Sequence, residues 1–174
     1  MLLDLSKIRT PHERYEKAYP PEAFKADADY KIVEPVKLAF DIHKDKNTFR
    51  LDGRVETRLE LPCSRCLEPF RWPVDEPFEL TYQPRGAHTD EHEREIADED
   101  FSAAFYENDE IDLEQLIRER IEMSMPMKPL CRSDCQGLCA VCGTNLNRAT
   151  CNCKRDWEDP RLAALKQLRV KTDS

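Results

Sequence analysis

The chain has 174 residues, a formal net charge of −8 and 36% charged side chains. That acidity excludes a protein that coats nucleic acid by bulk electrostatics, because phosphate binding needs a Lys/Arg surface. Four glycines against twelve prolines argue against a glycine-dependent nucleotide fold, and 40% apolar residues suffice for one core or one core with a small appendage.

The N-terminal stretch MLLDLSKIRTPHERYEKAYP turns charged early and lacks the apolar run and small-residue cleavage site of a signal peptide. No later run approaches the roughly 20 apolar residues that span a bilayer. The expected compartment is therefore the cytoplasm, where disulfides are rare, with no membrane partner.

In chain order, Leu2 to Ile8 is a short run expected to join the antiparallel meander formed by the strands that follow. Three stretches then alternate with period two, the mark of strands with one buried side. The first carries Tyr30, Ile32, Val36, Leu38, Phe40 and Ile42 on one face; the second carries Phe49, Leu51, Val55, Leu59 and Leu61; the third carries Phe70, Trp72, Val74, Phe78, Leu80 and Tyr82. Lys44-Asp45-Lys46-Asn47 is a polar turn between the first two, and Gly53 is expected to mark a bulge.

From Pro84 to Asp100 the pattern disappears into a polar, acidic stretch read as a loop. Acids dominate from Asp90 to Asp112, with Arg94 the only base. Order is expected to return at Phe101 and Phe105, followed by a helix. Asp112 is its expected N-cap, with Gln115 closing a capping box. Leu113, Leu116, Ile117, Ile121 and Ser124 share one helical face, and Pro126 and Pro129 stop the helix. The segment from Cys131 to Cys153 is too poor in large hydrophobes to build a core. A short terminal helix is expected after Asp159-Pro160, with Leu162, Leu165 and Leu168 on one side.

The expected architecture is α+β: an antiparallel β-meander packed with one amphipathic helix over residues 1–130, and a cysteine-rich zinc-knuckle tail over residues 131–174 packed on it, ending in the short helix.

The eight cysteines carry the chemistry. Cys63-Ser-Arg-Cys66 and Cys139-Ala-Val-Cys142 are C-x-x-C pairs, in which one tight turn presents two thiolates to one tetrahedral ion. Cys131 and Cys135 also permit joint ligation, as do Cys151 and Cys153 if the backbone curls. The compact set is Cys139, Cys142, Cys151 and Cys153, which leaves Cys63, Cys66, Cys131 and Cys135 for a second, long-range site. Two structural zinc ions are the expected cofactors. Disulfides suit an even count but not a chain without a signal peptide. Iron–sulfur clusters also use four thiolates, but these spacings are not the common ferredoxin runs. Thiol redox catalysis needs a thioredoxin-like βαβ setting that is missing here.

Other motifs read as non-catalytic. His88-Thr89-Asp90-Glu91-His92 fits the H-x-x-E-H pattern of inverted zinc proteases but has no apolar helical face. His12 and His43 lie far apart with no evident triad partner. Trp72 is in step with its strand, and Trp157 is expected to pack over the knuckle. No small-molecule substrate site is legible, so the chain is read as not an enzyme.

Three features together carry a family resemblance: the Cys63-Ser-Arg-Cys66 turn after a strand, Ile111-Asp112-Leu113 leading into the helix, and the tail from Pro126 through Cys131, Cys135, Cys139 and Cys142 to Gly143-Thr-Asn-Leu-Asn. The chain resembles the bacterial YceD family, the large ribosomal RNA subunit accumulation proteins. The resemblance implies a non-enzymatic factor supporting large-subunit RNA accumulation and ribosome assembly. It also implies that the site of Cys63 and Cys66 is the common one and the distal knuckle an elaboration.

On this reading the protein is a zinc-stabilised scaffold whose partner is a ribosomal protein, a large-subunit rRNA precursor, or both. A basic partner protein would meet Glu91, Glu93, Glu95, Asp98, Glu99 and Asp100. RNA would meet Arg148, Lys154, Arg155 and Arg161. The alternative is a zinc-ribbon protein-interaction adaptor unrelated to the ribosome.

Overall fold

Alternating side chains on three consecutive stretches produce three long neighbouring strands. The structure, a computed structural model, describes residues 1–25, 27, 29–85 and 103–154. Its elements are β1 (Leu2–Asp4), β2 (His12–Tyr19), β3 (Lys31–Ile32), β4 (Val36–Asp45), β5 (Thr48–Pro62), β6 (Pro69–Pro84), β7 (Ala103–Tyr106), β8 (Glu110–Asp112) and α1 (Leu113–Ser124). The main sheet runs β2-β4-β5-β6-β7, with β3 also paired to β5.

The meander β4-β5-β6 is antiparallel throughout. Its first turn is the two residues Lys46 and Asn47 between the paired Asp45 and Thr48, with Lys46 in the left-handed region at φ 53. Val36, Leu38, Phe40, Ile42, Leu51, Val55, Leu59, Leu61 and Val74 are buried on the inner face. Phe70, Trp72 and Leu80 are only partly buried at the margin of that core.

Helix α1 covers this face with Leu113, Leu116, Ile117 and Ile121, all buried. Asp112 caps it, its carboxylate accepting from the N–H groups of Glu114 (2.9 Å) and Gln115 (3.4 Å). The expected capping box is half made, because the Gln115 amide turns away to donate to Glu119 Oε1. Met125 leaves the helix in an extended conformation just before Pro126.

Four features differ from the sequence reading. First, Leu2 to Ile8 does not join the meander: β1 pairs with β8 in a separate two-stranded sheet beside the start of α1. Second, the stretch from Tyr30 to Ile42 is interrupted. Its first part is β3, bound to the far end of β5, and the gap is closed by Val33 N–H donating to Arg58 O and Thr57 Oγ1 donating to Glu34 O. Third, Gly53 is not a bulge, since Ala39↔Arg54, Phe40↔Gly53 and Asp41↔Asp52 pair without a slip. A Cβ there would lie 2.3 Å from Phe40 Cβ and 2.5 Å from Ala39 O, so glycine serves close strand approach. Fourth, Phe105 belongs to a strand, β7, which pairs parallel to β6.

An unexpected strand, β2, pairs antiparallel with β4 along its whole length. Tyr15 stacks on Phe40 with ring centroids 4.8 Å apart, and its hydroxyl lies 2.8 Å from that of Tyr19. Arg14 and Glu16 flank Tyr15, and Glu13 and Lys17 add to the charge of the strand, as suits an edge strand. Phe101, the expected loop from residue 86 onward, and the expected terminal helix lie outside the described residues.

Candidate metal centre

The tip of the β5–β6 hairpin builds the first half of one site. Pro62↔Pro69 is the last strand pair. Beyond it Cys63 N–H donates to Glu68 O (3.0 Å) and Leu67 N–H to Cys63 O (2.9 Å), with Leu67 at φ 60. This tight turn faces Cys63 and Cys66 the same way. The other half arrives after α1: Ser64 N–H donates to Pro129 O (2.8 Å), which seats Cys131 and Cys135 against the tip.

The four Sγ atoms lie within 4.8 Å of one another. Cys63 and Cys135 are 3.8 Å apart, and Cys66 and Cys131 are 3.7 Å apart. A disulfide requires about 2.05 Å, and all eight cysteines are free. Four thiolates around a tetrahedral ion at about 2.3 Å have edges of about 3.8 Å, so the donor set fits a four-coordinate metal. Cys63, Cys66 and Cys135 are buried, packed by Phe70, Leu130 and Leu138.

Cys139, Cys142, Cys151 and Cys153 form a second cluster under the same distance limit. Gly143, at φ 72, closes the C-x-x-C turn, and its N–H donates to Cys139 O (2.9 Å). Val141 N–H donates to Cys139 Sγ (3.4 Å), and Thr144 Oγ1 lies 3.1 Å from Cys142 Sγ. Cys142 and Cys153 are exposed, so this cluster faces water more than the first, in which Cys131 alone is not buried.

The electrostatics suit cation binding. Burial pushes the Cys63 thiol up, but backbone N–H groups of Cys131, Cys66 and Arg65 outweigh it and bring it down to about 6. Burial likewise raises Cys135, and the Asn147 side chain and Gly137 N–H draw it below the ordinary value. Thr144 lowers Cys142 to about 6. Burial and the neighbouring cysteine sulfurs push Cys131 up to about 12, and Cys142 with burial does the same to Cys153. Each cluster thus has two thiols drawn below the ordinary value, Cys63 and Cys135 in one and Cys139 and Cys142 in the other, and two pushed above it, and so resists a full set of thiolates without a positive charge among them.

The two clusters are tied together. Leu138 N–H donates to Arg65 O (3.2 Å), Asn145 Nδ2 to Glu68 Oε1 (3.3 Å), and Arg148 pairs with Glu68 at 2.5 Å. Gly137, at φ 75, lies against Arg65: a Cβ there would come within 3.1 Å of Arg65 O. Arg148, read from sequence as an RNA contact, is therefore engaged with the hairpin tip, although its side chain stays 71% exposed. Lys154 is exposed at the end of the described tail. Arg155, Arg161, Glu91, Glu93, Glu95, Asp98, Glu99 and Asp100 lie outside the described residues, as do His88, His92 and Trp157.

Sequence reasoning paired the cysteines as they are found but missed the residues that hold the sites, Arg65, Glu68, Asn145 and Asn147. The available signal was amides, a carboxylate and a guanidinium inside a cysteine-dense stretch, where they can satisfy sulfur and backbone. It also missed that β2 brings His12 to His43, with ring centroids 4.7 Å apart. His12 lies 3.3 Å from Asp41 and His43 lies 3.8 Å from Asp52, all on the exposed sheet face. Exposed contacts of this kind need no catalytic role.

Fold and site together define a small α+β protein carrying two four-cysteine clusters, one buried at a hairpin tip and one at the surface. Residues 51–169 match the model of the family described as large ribosomal RNA subunit accumulation protein YceD, and the chain belongs to that family. It is 30% identical over 162 residues to the chloroplastic "Large ribosomal RNA subunit accumulation protein YCED homolog 1" of Arabidopsis thaliana, covering 81% of this chain and 50% of that one. The Zea mays protein of the same name is 30% identical over 146 residues, 69% of this chain and 49% of that one. The chain thus spans about half the length of these plant relatives. "Uncharacterized protein YlbN" of Bacillus subtilis is 27% identical over 153 residues, 87% of this chain and 84% of that one. No solved structure matches. Among the described residues no helix is long and apolar enough to cross a membrane.

Proposed function

We propose that this protein is a non-enzymatic factor supporting accumulation of large-subunit ribosomal RNA, acting as a scaffold held in shape by two structural zinc ions. The family match carries the reading, because its span, 51–169, includes all eight cysteines. Four soft thiolates in tetrahedral disposition favour zinc over hard cations, and no position is left open for substrate. Thiols held at metal-ligand rather than disulfide distances suit a reducing compartment, the cytoplasm.

The partner is a basic ribosomal protein ahead of naked RNA. The chain is acidic overall, and Glu107, Asp109, Glu110 and Asp112 are exposed where the acidic run enters β8. RNA contact would fall to the bases of the tail. Pull-down of tagged, zinc-loaded protein from lysate, with and without nuclease, tests this. Capture of large-subunit ribosomal proteins that survives nuclease supports a protein partner, and capture abolished by nuclease makes RNA the primary partner. Failure to travel with precursor large subunits in a gradient would favour the adaptor unrelated to the ribosome.

A further inference from the structure

We infer that Asn147 is a positioning residue that donates a hydrogen bond to the Cys135 thiolate of the buried cluster, and that through it the exposed cluster controls metal retention at the buried one. The inference rests on the reading that both clusters bind zinc.

The orientation of the Asn147 amide follows from its partners. Its Oδ1 accepts from Gln136 N–H (2.8 Å) and from Arg132 Nη2 (2.7 Å), both obligate donors. The other end must therefore be the NH2 group. That group faces Cys135 Sγ at 3.3 Å and Asn145 Oδ1 at 2.9 Å. All four hydrogen-bonding positions of the amide are used.

Cys135 is 2% exposed, so water cannot readily replace the donor. An N–H aimed at a metal-bound thiolate draws off part of its charge and fixes its direction toward the metal.

Asn147 does not belong to the segment that supplies Cys135. It lies between Cys142 and Cys151, inside the loop that the exposed cluster closes. Apart from the metal, that loop is held by Cys139 N–H to Thr144 O, the Leu138↔Asn145 bridge, Leu146 N–H to Gly137 O, the reach of Asn145 and Arg148 to Glu68, and a single turn in which Arg148 and Ala149 N–H groups donate to Asn145 O. A metal at the exposed cluster pins both ends of the loop and lowers the entropy cost of holding the amide against Cys135. Removing that metal frees the ends, and the donor leaves the buried site more often.

Asn147→Asp provides the test, because it keeps the shape and the acceptor for Gln136 and Arg132 but turns an oxygen toward the thiolate. Full-length protein loaded with cadmium should give two ¹¹³Cd resonances, the buried one identified by its loss in Cys66→Ser. Asn147→Asp should shift that resonance and leave the other in place. In the zinc-loaded protein, metal should leave the buried site to a chelator about 10–100-fold faster, the range typical of outer-shell changes. Cys151→Ser should accelerate release from the buried site in the same direction, and adding Asn147→Asp to it should have little further effect.

A wild-type release rate and an unmoved resonance in folded Asn147→Asp would reduce Asn147 to a scaffold residue. Should that variant not fold, Cys151→Ser decides: a wild-type release rate from its buried site overturns the coupling. Wild-type protein that carries no zinc would instead overturn the function proposed above.

Discussion

Stripping the metal from the buried cluster should cost the sheet several kcal/mol, because the site joins distant parts of the chain. Cys66 and Cys131 are 65 residues apart, and Cys63 and Cys135 are 72 apart. In the native state the four sulfurs are already gathered. An unfolded chain must close that loop before it can offer the same four ligands, at an entropic cost of about 4 kcal/mol. Metal at this site therefore favours the native over the unfolded chain by about that much, roughly a thousandfold in the folding equilibrium. Against typical domain stabilities of about 5–15 kcal/mol, the loss is severe.

The measurement is urea unfolding followed by far-ultraviolet circular dichroism, on zinc-loaded and chelator-treated protein. Cys66→Ser should match the chelated wild type and respond little to further chelator. Cys151→Ser should fall between, since it leaves all four ligands of the buried site in place and loosens only the loop that carries Asn147. If chelation moves the unfolding free energy by less than about 1 kcal/mol, the cross-linking argument fails.

Gly53→Ala should destabilise the protein by about 3 kcal/mol, at the upper end of overpacking costs, because the new Cβ would meet the backbone and Cβ of the partner strand at 2.3–2.8 Å; equilibrium denaturation within about 0.5 kcal/mol of wild type, the size of an ordinary surface substitution, would contradict this. Alkali supplies the other check. Burial raises the Tyr82 phenol from 10.0 to about 12, so its contribution, on the order of 2 kcal/mol, is fully present below about pH 10 and fades as pH rises toward 12. Tyr82→Phe should flatten that loss in a stability–pH series, and an unchanged slope would refute the assignment.

The parts legible in the sequence are those decided by local physics. Period-two alternation revealed β4, β5 and β6, because a strand with one buried face must alternate. Asp112 and the apolar face of Leu113, Leu116, Ile117 and Ile121 revealed α1, since capping and helical spacing act within a few residues. The C-x-x-C pairs revealed two turns that could each hold a metal for the same reason, and counting to four grouped the remaining cysteines with them.

Tertiary structure alone decided what depends on partners far along the chain. β2 was hidden because an edge strand with one wet face and only two large apolar residues, Tyr15 and Tyr19, in a mostly charged stretch carries no clear period. β7 was hidden because a four-residue parallel strand takes its identity from β6. Gly53 reads equally as a bulge or a close approach until the register with Phe40 is known. Asn147 is one polar residue among several in the tail until folding brings it to Cys135, and a hydrogen bond between two separate cysteine clusters leaves no trace in the spacing of either.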